Sequence, residues 1–479
     1  MNEEIELKLD LSPASAQALE RSSLWPGAGE VAQLDALYFD TPDRLLRAHG
    51  LTLRVRRSGD ERIQTIKADG ASGSGGLFTR AEWEMPVPAD EPVLDARAPI
   101  AAVLDGAAAT IERTFQVEVE RRKWLLSNDG ATTEIVLDRG RVRAGEREAP
   151  VCEVELEQKA GNAAALFALA RRIDAVAPVR LGVVTKSERG YHLLDGDRAS
   201  FKAKPIPIDE DAVAGEAFLR IARACIRHYR LNETLLLDRY DPAALHQARV
   251  AIRRLRSAFT LFKPMLAEQD RLRFQQELRW LAGVLGEARD LDVLLDAADA
   301  PLRPRIEQAR VAAQADVLHA LASDRVRAMF IDLAEWLAVG AGLDPDARVE
   351  PARDFAARRL GHLFRRVKKG GAHMKKLNDE ARHDVRKEAK KLRYAAEFFA
   401  ALFAGRKKLR QRHARFINAL TGLQDDLGAL NDLVSMPFIL EQHGLADTQA
   451  SGHDKDRRKL IRKTAKALDR LSDAPRFWR

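Results

Sequence analysis

Glu4-Ile5-Glu6-Leu7-Lys8-Leu9 alternates charged and apolar side chains without a break. A two-residue period makes it a strand, with Glu4, Glu6 and Lys8 on one face and Ile5, Leu7 and Leu9 on the other. Leu51-Thr-Leu-Arg54-Val-Arg56, Arg80-Ala-Glu82-Trp-Glu84 and Cys152-Glu153-Val-Glu155-Leu-Glu157 repeat the pattern, while residues 12–22 and 163–176 read as helices between strands. An alternating strand ordinarily turns its charges to water. Here the charged faces mix carboxylates with guanidinium and ammonium groups at matched parity in one strand after another. If such a sheet closes on itself with helices outside, those faces line a charged tunnel. Bases in a tunnel bind phosphate oxygens, and clustered carboxylates seat a hard divalent cation. The expected ligand is a polyanion accompanied by a metal, and the expected class is α+β with many antiparallel strands.

The surroundings of these strands bound the reading. At 479 residues and 46% hydrophobic side chains, the chain is long enough for two or three packed domains. No apolar run approaches the roughly 18–20 residues of a membrane span. Met1-Asn-Glu-Glu begins with acids where a secretory signal has bases. Cys152 and Cys225 can build neither a disulfide framework nor a four-ligand zinc site, so a reducing cytoplasm is the expected compartment. Parity turns Cys152 away from Glu153, which makes it a packing residue. Charge divides the chain: residues 1–200 hold 26 Lys+Arg and 33 Asp+Glu, whereas 201–479 hold 53 and 38. An acidic module joined to a basic one implies two jobs. Pro205 and Pro207 forbid helix at the joint. The expected organisation is a tunnel domain at 1–200, a linker at 201–214 and a helical domain at 215–479.

The basic part contains a repeat. Leu245-His246-Gln-Ala-Arg249-Val-Ala-Ile-Arg253-Arg254-Leu-Arg256 returns 137 residues later as Arg382-His383-Asp-Val-Arg386-Lys387-Glu-Ala-Lys390-Lys391-Leu-Arg393. Phe218 and Phe355 share that offset, and Arg289-Asp290 pairs with Asn431-Asp432 further on. Two copies, at about 215–345 and 350–479, imply two helical bundles related by a pseudo-twofold. His246, Arg249, Arg253 and Arg256 form one helical stripe, and His383, Arg386, Lys390 and Arg393 form its copy. Like charges at these spacings destabilise a helix. Repetition of the stripe therefore points to a bound anion rather than to a merely solvated face. The histidines have no second His or Cys at ligand spacing and are phosphate donors or structural groups, not metal ligands. The face lacks interleaved aromatics, so nucleic acid is not the expected partner.

Two resemblances sharpen this. Glu4-x-Glu6-x-Lys8 resembles the ExExK signature of the CYTH domain of triphosphate tunnel metalloenzymes. The resemblance runs through Tyr38-Phe-Asp-Thr41, Leu53-Arg-Val-Arg56, Thr65-Ile-Lys67, Arg80-x-Glu82, Leu137-Asp138-Arg-Gly140, Cys152–Glu157 and Lys186–Tyr191. It implies an eight-stranded antiparallel β tunnel with Glu4, Glu6, Asp138, Glu153 and Glu155 as metal ligands. It also implies Lys8, Arg54, Arg56, Lys67, Arg80, Arg121 and Lys186 as triphosphate contacts. Family spacing to Trp124 nominates Arg121; parity with Glu118 and Glu120 nominates Arg122 unless a bulge intervenes. The implied cofactor is Mg²⁺, or Mn²⁺, activating water with no protein nucleophile. The basic part resembles the CHAD domain, which implies polyphosphate binding by His246, Arg249, Arg253, Arg254, Arg256, His383, Arg386, Lys387, Lys390, Lys391 and Arg393.

Together these imply a hydrolase of inorganic triphosphate with a polyphosphate-binding module. The alternatives are hydrolysis of an organic triphosphate, such as thiamine triphosphate or a nucleotide, and a non-catalytic protein of polyphosphate granules.

Overall fold

A computed structural model describes residues 2–68, 75–94, 100–104, 110–128, 130–298, 300–339, 342–345, 349–442 and 454–479. Side chains at 2–4, 80, 297, 435–440, 442 and 454 lie outside that description. The chain forms two units, Met1–Phe201 with Ala322–Ala341, and Lys202–Leu321 with Gly342–Arg479.

In the first unit the alternating segments are strands: β1 (Asn2–Leu11), β2 (Glu30–Asp40), β3 (Leu51–Ser58), β4 (Glu61–Ala68), β5 (Leu77–Pro86), β6 (Glu112–Asn128), β7 (Ala131–Ala144), β8 (Arg147–Ala160) and β9 (Val179–Leu181). They pair antiparallel in the order β5-β4-β3-β2-β6-β7-β8-β1-β9, and β1 also pairs with β5. Eight strands thus close into a ring, which abolishes the exposed edge. One edge of β1 does both jobs: its first residues pair with β5 and Leu9–Leu11 pair with β9.

Helices α1 (Pro13–Glu20) and α4 (Ala163–Val176) cover β1 and β8, burying Leu7, Leu9, Val154 and Leu156. Short helices α2 (Leu45–Ala48) and α3 (Ala101–Leu104) cover a second apolar face formed by Leu37, Phe39, Leu53, Val55 and Ile66. The apolar parity therefore points outward under helices. Inside, one end of the ring is filled by Tyr38, Phe115, Val117, Val119 and Val142. Helix α5 (Lys186–Asp195) closes that end, its Tyr191 lying edge-on to Phe115 at 5.1 Å. A Cβ at Gly190 would lie 2.3 Å from the Phe115 ring, so only glycine lets α5 seat this closely. Its N-terminus carries a capping box between Thr185 and Glu188, which positions Lys186 at the first helical residue.

The second unit contains α6 (Ala214–Asp238), α7 (Pro242–Leu261), α8 (Glu268–Ala297), α9 (Arg303–Ala322), α11 (Ala352–Gly371), α12 (Asp379–Phe398), α13 (Lys407–Gln442) and α14 (Asp454–Asp473). Its two copies meet about a local pseudo-twofold. The Ala214 amide donates to Glu350 O (2.8 Å) and the Ala352 amide to Ala212 O (2.9 Å). At the centre the repeat phenylalanines stack on one another: Phe262 lies 4.7 Å from Phe355, 5.3 Å from Phe218 and 5.9 Å from Phe399. The remaining helix, α10 (Asp324–Ala338), belongs with the first unit and contacts α4 and β9. Arg327 Nε donates to Asp174 (2.6 Å) and Arg171 to Asp332 (2.7 Å), with Met329, Phe330, Leu333 and Leu337 buried. No described helix is long and apolar enough to cross a membrane.

Candidate functional site

The interior of the ring, beyond its apolar plug, is a cavity of about 1170 Å³. Inward positions of successive strands supply its walls: Glu6 and Lys8 from β1, Arg54 and Arg56 from β3, Thr65 and Lys67 from β4, Glu82 and Glu84 from β5, Arg121 from β6, and Glu155 from β8. Thr185 and Lys186 reach it from the start of α5. Tyr38 and Thr52 register beside Arg54 and Lys67 respectively. Arg56 faces other guanidiniums: burial, then repulsion from Arg54 and Arg121, lowers its pKa below the ordinary arginine value. Acids on β5 hold part of this charge, with Glu82 at 3.3 Å from Lys67 and 3.9 Å from Arg54, and Glu84 at 3.6 Å from Arg56.

At the floor Asp138, Glu153 and Glu155 bring ligand oxygens within 4.8 Å of one another. Asp138 and Glu153 are fully buried. Lys186, Lys8 and Arg121 hold them most closely. Lys186 Nζ lies 2.6 Å from Asp138, 2.6 Å from Glu153 and 2.9 Å from Glu155. Lys8 Nζ bonds Glu153 at 2.8 Å and also Glu155. Arg121 grips Asp138 with two nitrogens (2.8 and 2.6 Å) and reaches Glu155 at 3.2 Å. Burial opposes ionisation of Glu153, but attraction to Lys186 and Lys8 overrides it and holds its carboxyl at about 2. Burial likewise works against the Lys186 charge, and Asp138, Glu153 and Glu155 raise its pKa well above the ordinary value. Glu153 and Lys186 are therefore both charged at neutral pH. An oxygen-only donor set of three carboxylates fits a hard divalent cation.

In the second unit, Arg249 and Arg253 of α7 come together with Arg386 and Lys390 of α12. Burial, then Arg386, Arg253 and Arg249, push the Lys390 amine down to about 7. His246 joins them: burial, Arg289, Arg253 and Arg249 lower its pKa. Arg249 is 2.9 Å from Asp290, Arg253 Nε donates to Tyr394 Oη (2.6 Å), and His383 Nδ1 contacts Asn431 Oδ1 (2.7 Å).

The CYTH domain family matches residues 2–191 and the CHAD domain family residues 220–440. The chain carries a CYTH domain and a CHAD domain. It is similar to an inorganic triphosphatase of Haemophilus influenzae, 30% identical over 210 residues, a match that covers 40% of this chain and 55% of the relative. It is also similar to an uncharacterized protein of Mycobacterium tuberculosis, 27% identical over 87% of this chain and 83% of the relative. The crystal structure of the CHAD domain from Ricinus communis is 30% identical, covers 58% of this chain and 94% of that one, and has a TM-score of 0.47.

Within the CYTH domain, the structure brings Glu6, Lys8, Arg54, Arg56, Lys67, Arg121, Glu155 and Lys186 to one cavity, with Asp138 and Glu153 directly beneath. Glu4 and Arg80 register opposite each other on β1 and β5, and their side chains lie outside the described ones. Arg122 does not face the tunnel. β6 runs from Gln116 to Asn128 against β7 in unbroken register, and Arg121 has the inward parity of Val117 and Val119. Glu118 and Glu120 face outward, paired with Arg141 and Arg139, and Arg122 points outward to Glu20 and Ala28 O. The inward face of β6 is apolar at the plug and basic only at the cavity, so charge alone misassigns it. Residues assigned no site role from the sequence include Glu82, which holds Lys67, and Arg189, whose Nη2 lies 2.8 Å from Asp10 and 3.4 Å from Glu153. The signal was present: Arg189 follows Lys186 by three residues, one helical turn on the same face.

In the CHAD domain the predicted set splits. His246, Arg249, Arg253, Arg386 and Lys390 converge. Arg254 instead turns into the core, ion-paired to Glu397 and 4.8 Å over the Phe398 ring. Arg393 also pairs with Glu397, Lys391 with Glu388 and Lys387 with Asp384, while Arg256 has Arg279 as its charged neighbour.

Proposed function

We propose that the CYTH tunnel hydrolyses inorganic triphosphate to pyrophosphate and phosphate, and that the CHAD domain binds inorganic polyphosphate. What carries the reading is one juxtaposition: the basic walls of the barrel cavity meet, at its floor, three carboxylates within 4.8 Å of each other. Bases alone suit any anion, and carboxylates alone repel one. Similarity to an inorganic triphosphatase supports the same activity. Asp138, Glu153 and Glu155, with Glu6 and Glu4 on β1, would hold Mg²⁺ or Mn²⁺, whose charge polarises phosphoryl oxygens and activates water. Arg54, Arg56 and Lys67 bind and orient the phosphate chain from one wall, and Arg121 from the other. Lys8 and Lys186 keep Glu153 and Glu155 ionised and present donors to the cavity floor. These cations stabilise charge on the departing pyrophosphate. A protein nucleophile is not needed: burial pushes the Cys152 thiol up to about 11, and its strand neighbour Arg139 faces outward.

In the CHAD domain, the convergence of Arg249, Arg253, Arg386 and Lys390 at the cost of a lowered Lys390 pKa supports a bound polyanion, which would favour the charged amine. The test of the whole reading is a substrate panel with Mg²⁺ and Mn²⁺. Tripolyphosphate should show the highest kcat/KM, above thiamine triphosphate and ATP. Equal or faster turnover of an organic triphosphate would overturn the assignment of substrate, and no phosphate release from any of them would overturn the hydrolase itself.

A further inference from the structure

The tunnel wall changes sign along its length. Exposure rises from the floor, where Lys8 is 2% and Lys186 9% exposed, to the wall bases Arg54 (17%), Lys67 (21%), Arg121 (23%) and Arg56 (25%). Towards the open end stand Glu157 (22%), Glu134 (23%), Glu84 (44%) and Glu30 (83%), with Glu61 exposed at the start of β4. Strand register agrees. On β8 the inward residues step from Glu153 through Glu155 to Glu157, on β7 from Asp138 through Val136 to Glu134, and on β4 from Lys67 through Thr65 and Ile63 to Glu61. Among the described lining residues the bases at this level are Lys123, 3.6 Å from Glu30, Lys159, 3.8 Å from Glu134, and Arg56, 3.6 Å from Glu84. Five carboxylates stand against three bases at the mouth of a cavity whose interior is rich in bases. Packing does not require this, since Glu30 and Glu61 are exposed.

We propose that this acidic rim sets the length of phosphate chain the tunnel accepts, admitting triphosphate and turning away long-chain polyphosphate. The inference rests on the hydrolase reading above. A chain short enough to lie among Lys186, Lys8, Arg54, Lys67 and Arg121 meets bases along its length. A longer chain must leave its remaining phosphates among Glu30, Glu61, Glu84, Glu134 and Glu157, where like charges repel it. The rim then keeps the polymer that the CHAD domain is proposed to hold from occupying the catalytic tunnel.

The test uses the full chain carrying Glu30→Gln, Glu61→Gln and Glu134→Gln together. Tripolyphosphate hydrolysis is measured alone and with long-chain polyphosphate as competitor. Removing three charges that act through a screened, near-aqueous medium should tighten inhibition by about tenfold while tripolyphosphate kcat/KM stays within about twofold. The difference from the native protein should shrink as salt is raised. Glu61→Lys alone, at an exposed position that cannot endanger the fold, should move inhibition in the same direction. Unchanged inhibition in both variants, with tripolyphosphate turnover intact, overturns the rim as a length filter. Absent tripolyphosphate turnover in the native protein is a different result and brings down the hydrolase reading beneath it.

Discussion

Glu153→Gln keeps the shape of a fully buried side chain and removes its charge. In the native barrel that carboxylate accepts from Lys186 at 2.6 Å, Lys8 at 2.8 Å and Arg189 at 3.4 Å. Removing one partner of a buried ion pair costs ~3–5 kcal/mol where the remaining charge is left uncompensated. Here Lys186 keeps Asp138 and Glu155, Lys8 keeps Glu155, and Arg189 keeps Asp10, so the low end applies, ~3 kcal/mol. Amide hydrogen exchange of β1 and β8 reads the barrel separately from the helical unit. A ~3 kcal/mol loss should speed the slowest of these amides roughly a hundredfold at neutral pH. The sign with pH follows from the lowered Glu153 pKa. Its ionisation stabilises the fold fully above about 4.5, and that contribution is lost as pH falls towards about 2. The gap between native protein and variant should therefore close over that range. Adding Lys8→Met should recover part of the loss, with a coupling of ~1–3 kcal/mol. Strictly additive penalties, or unchanged exchange in Glu153→Gln, would refute the ion-paired floor.

Four other outcomes are expected. Glu6→Gln should abolish phosphate release from tripolyphosphate without altering the circular dichroism spectrum, and retained turnover at saturating Mg²⁺ would exclude Glu6 from the proposed metal site. Arg54→Ala should raise KM and lower kcat together, because a guanidinium on the cavity wall meets phosphate before and during reaction; a change in neither would remove it from the binding wall. Binding of long-chain polyphosphate should strengthen as pH falls through about 7, because Lys390 gains its proton there and the anion favours the charged form. Titrations at pH 6 and 8 at constant ionic strength read this, and Lys390→Arg should flatten the dependence. Reversing Arg249, Arg253, Arg386 and Lys390 to Glu should eliminate that binding while tripolyphosphate hydrolysis persists.

Much of the architecture follows from periodicity that the chain displays locally. The alternation at Glu4–Leu9 requires one polar and one apolar face, and the repeat at His246 and His383 requires two copies of one bundle, whatever surrounds them. A period of two or of 3.6 is a property of the backbone, so it survives without knowledge of neighbours. The same reasoning could not say which face of β6 is inward. Glu118 and Glu120 carry the charge but face outward, because the interior at their level is the apolar plug around Phe115 and Tyr191. Arg121 enters the cavity only because β6 passes from plug to cavity between Val119 and Arg121.

Other features depended on contacts between residues far apart in the chain. That Lys8 and Lys186 are clasped by Glu153 and Glu155 required β1, β8 and the start of α5 to meet at one point. That Arg254 and Lys391, each beside a convergent base in sequence, pair with Glu397 and Glu388 instead depended on the rotation of α7 and α12 about their axes. Helix α10 lies among helical sequence yet packs on α4, since its buried apolar face and its ion pairs to Arg171 and Asp174 find their partners there. Sequence by itself determined the chemistry available, namely tunnel carboxylates with bases in one half and paired basic stripes in the other. Tertiary structure alone decided which of those charges face a common space and which neutralise one another. Coulomb energy depends on distance and on the surrounding dielectric, and only the folded chain sets either.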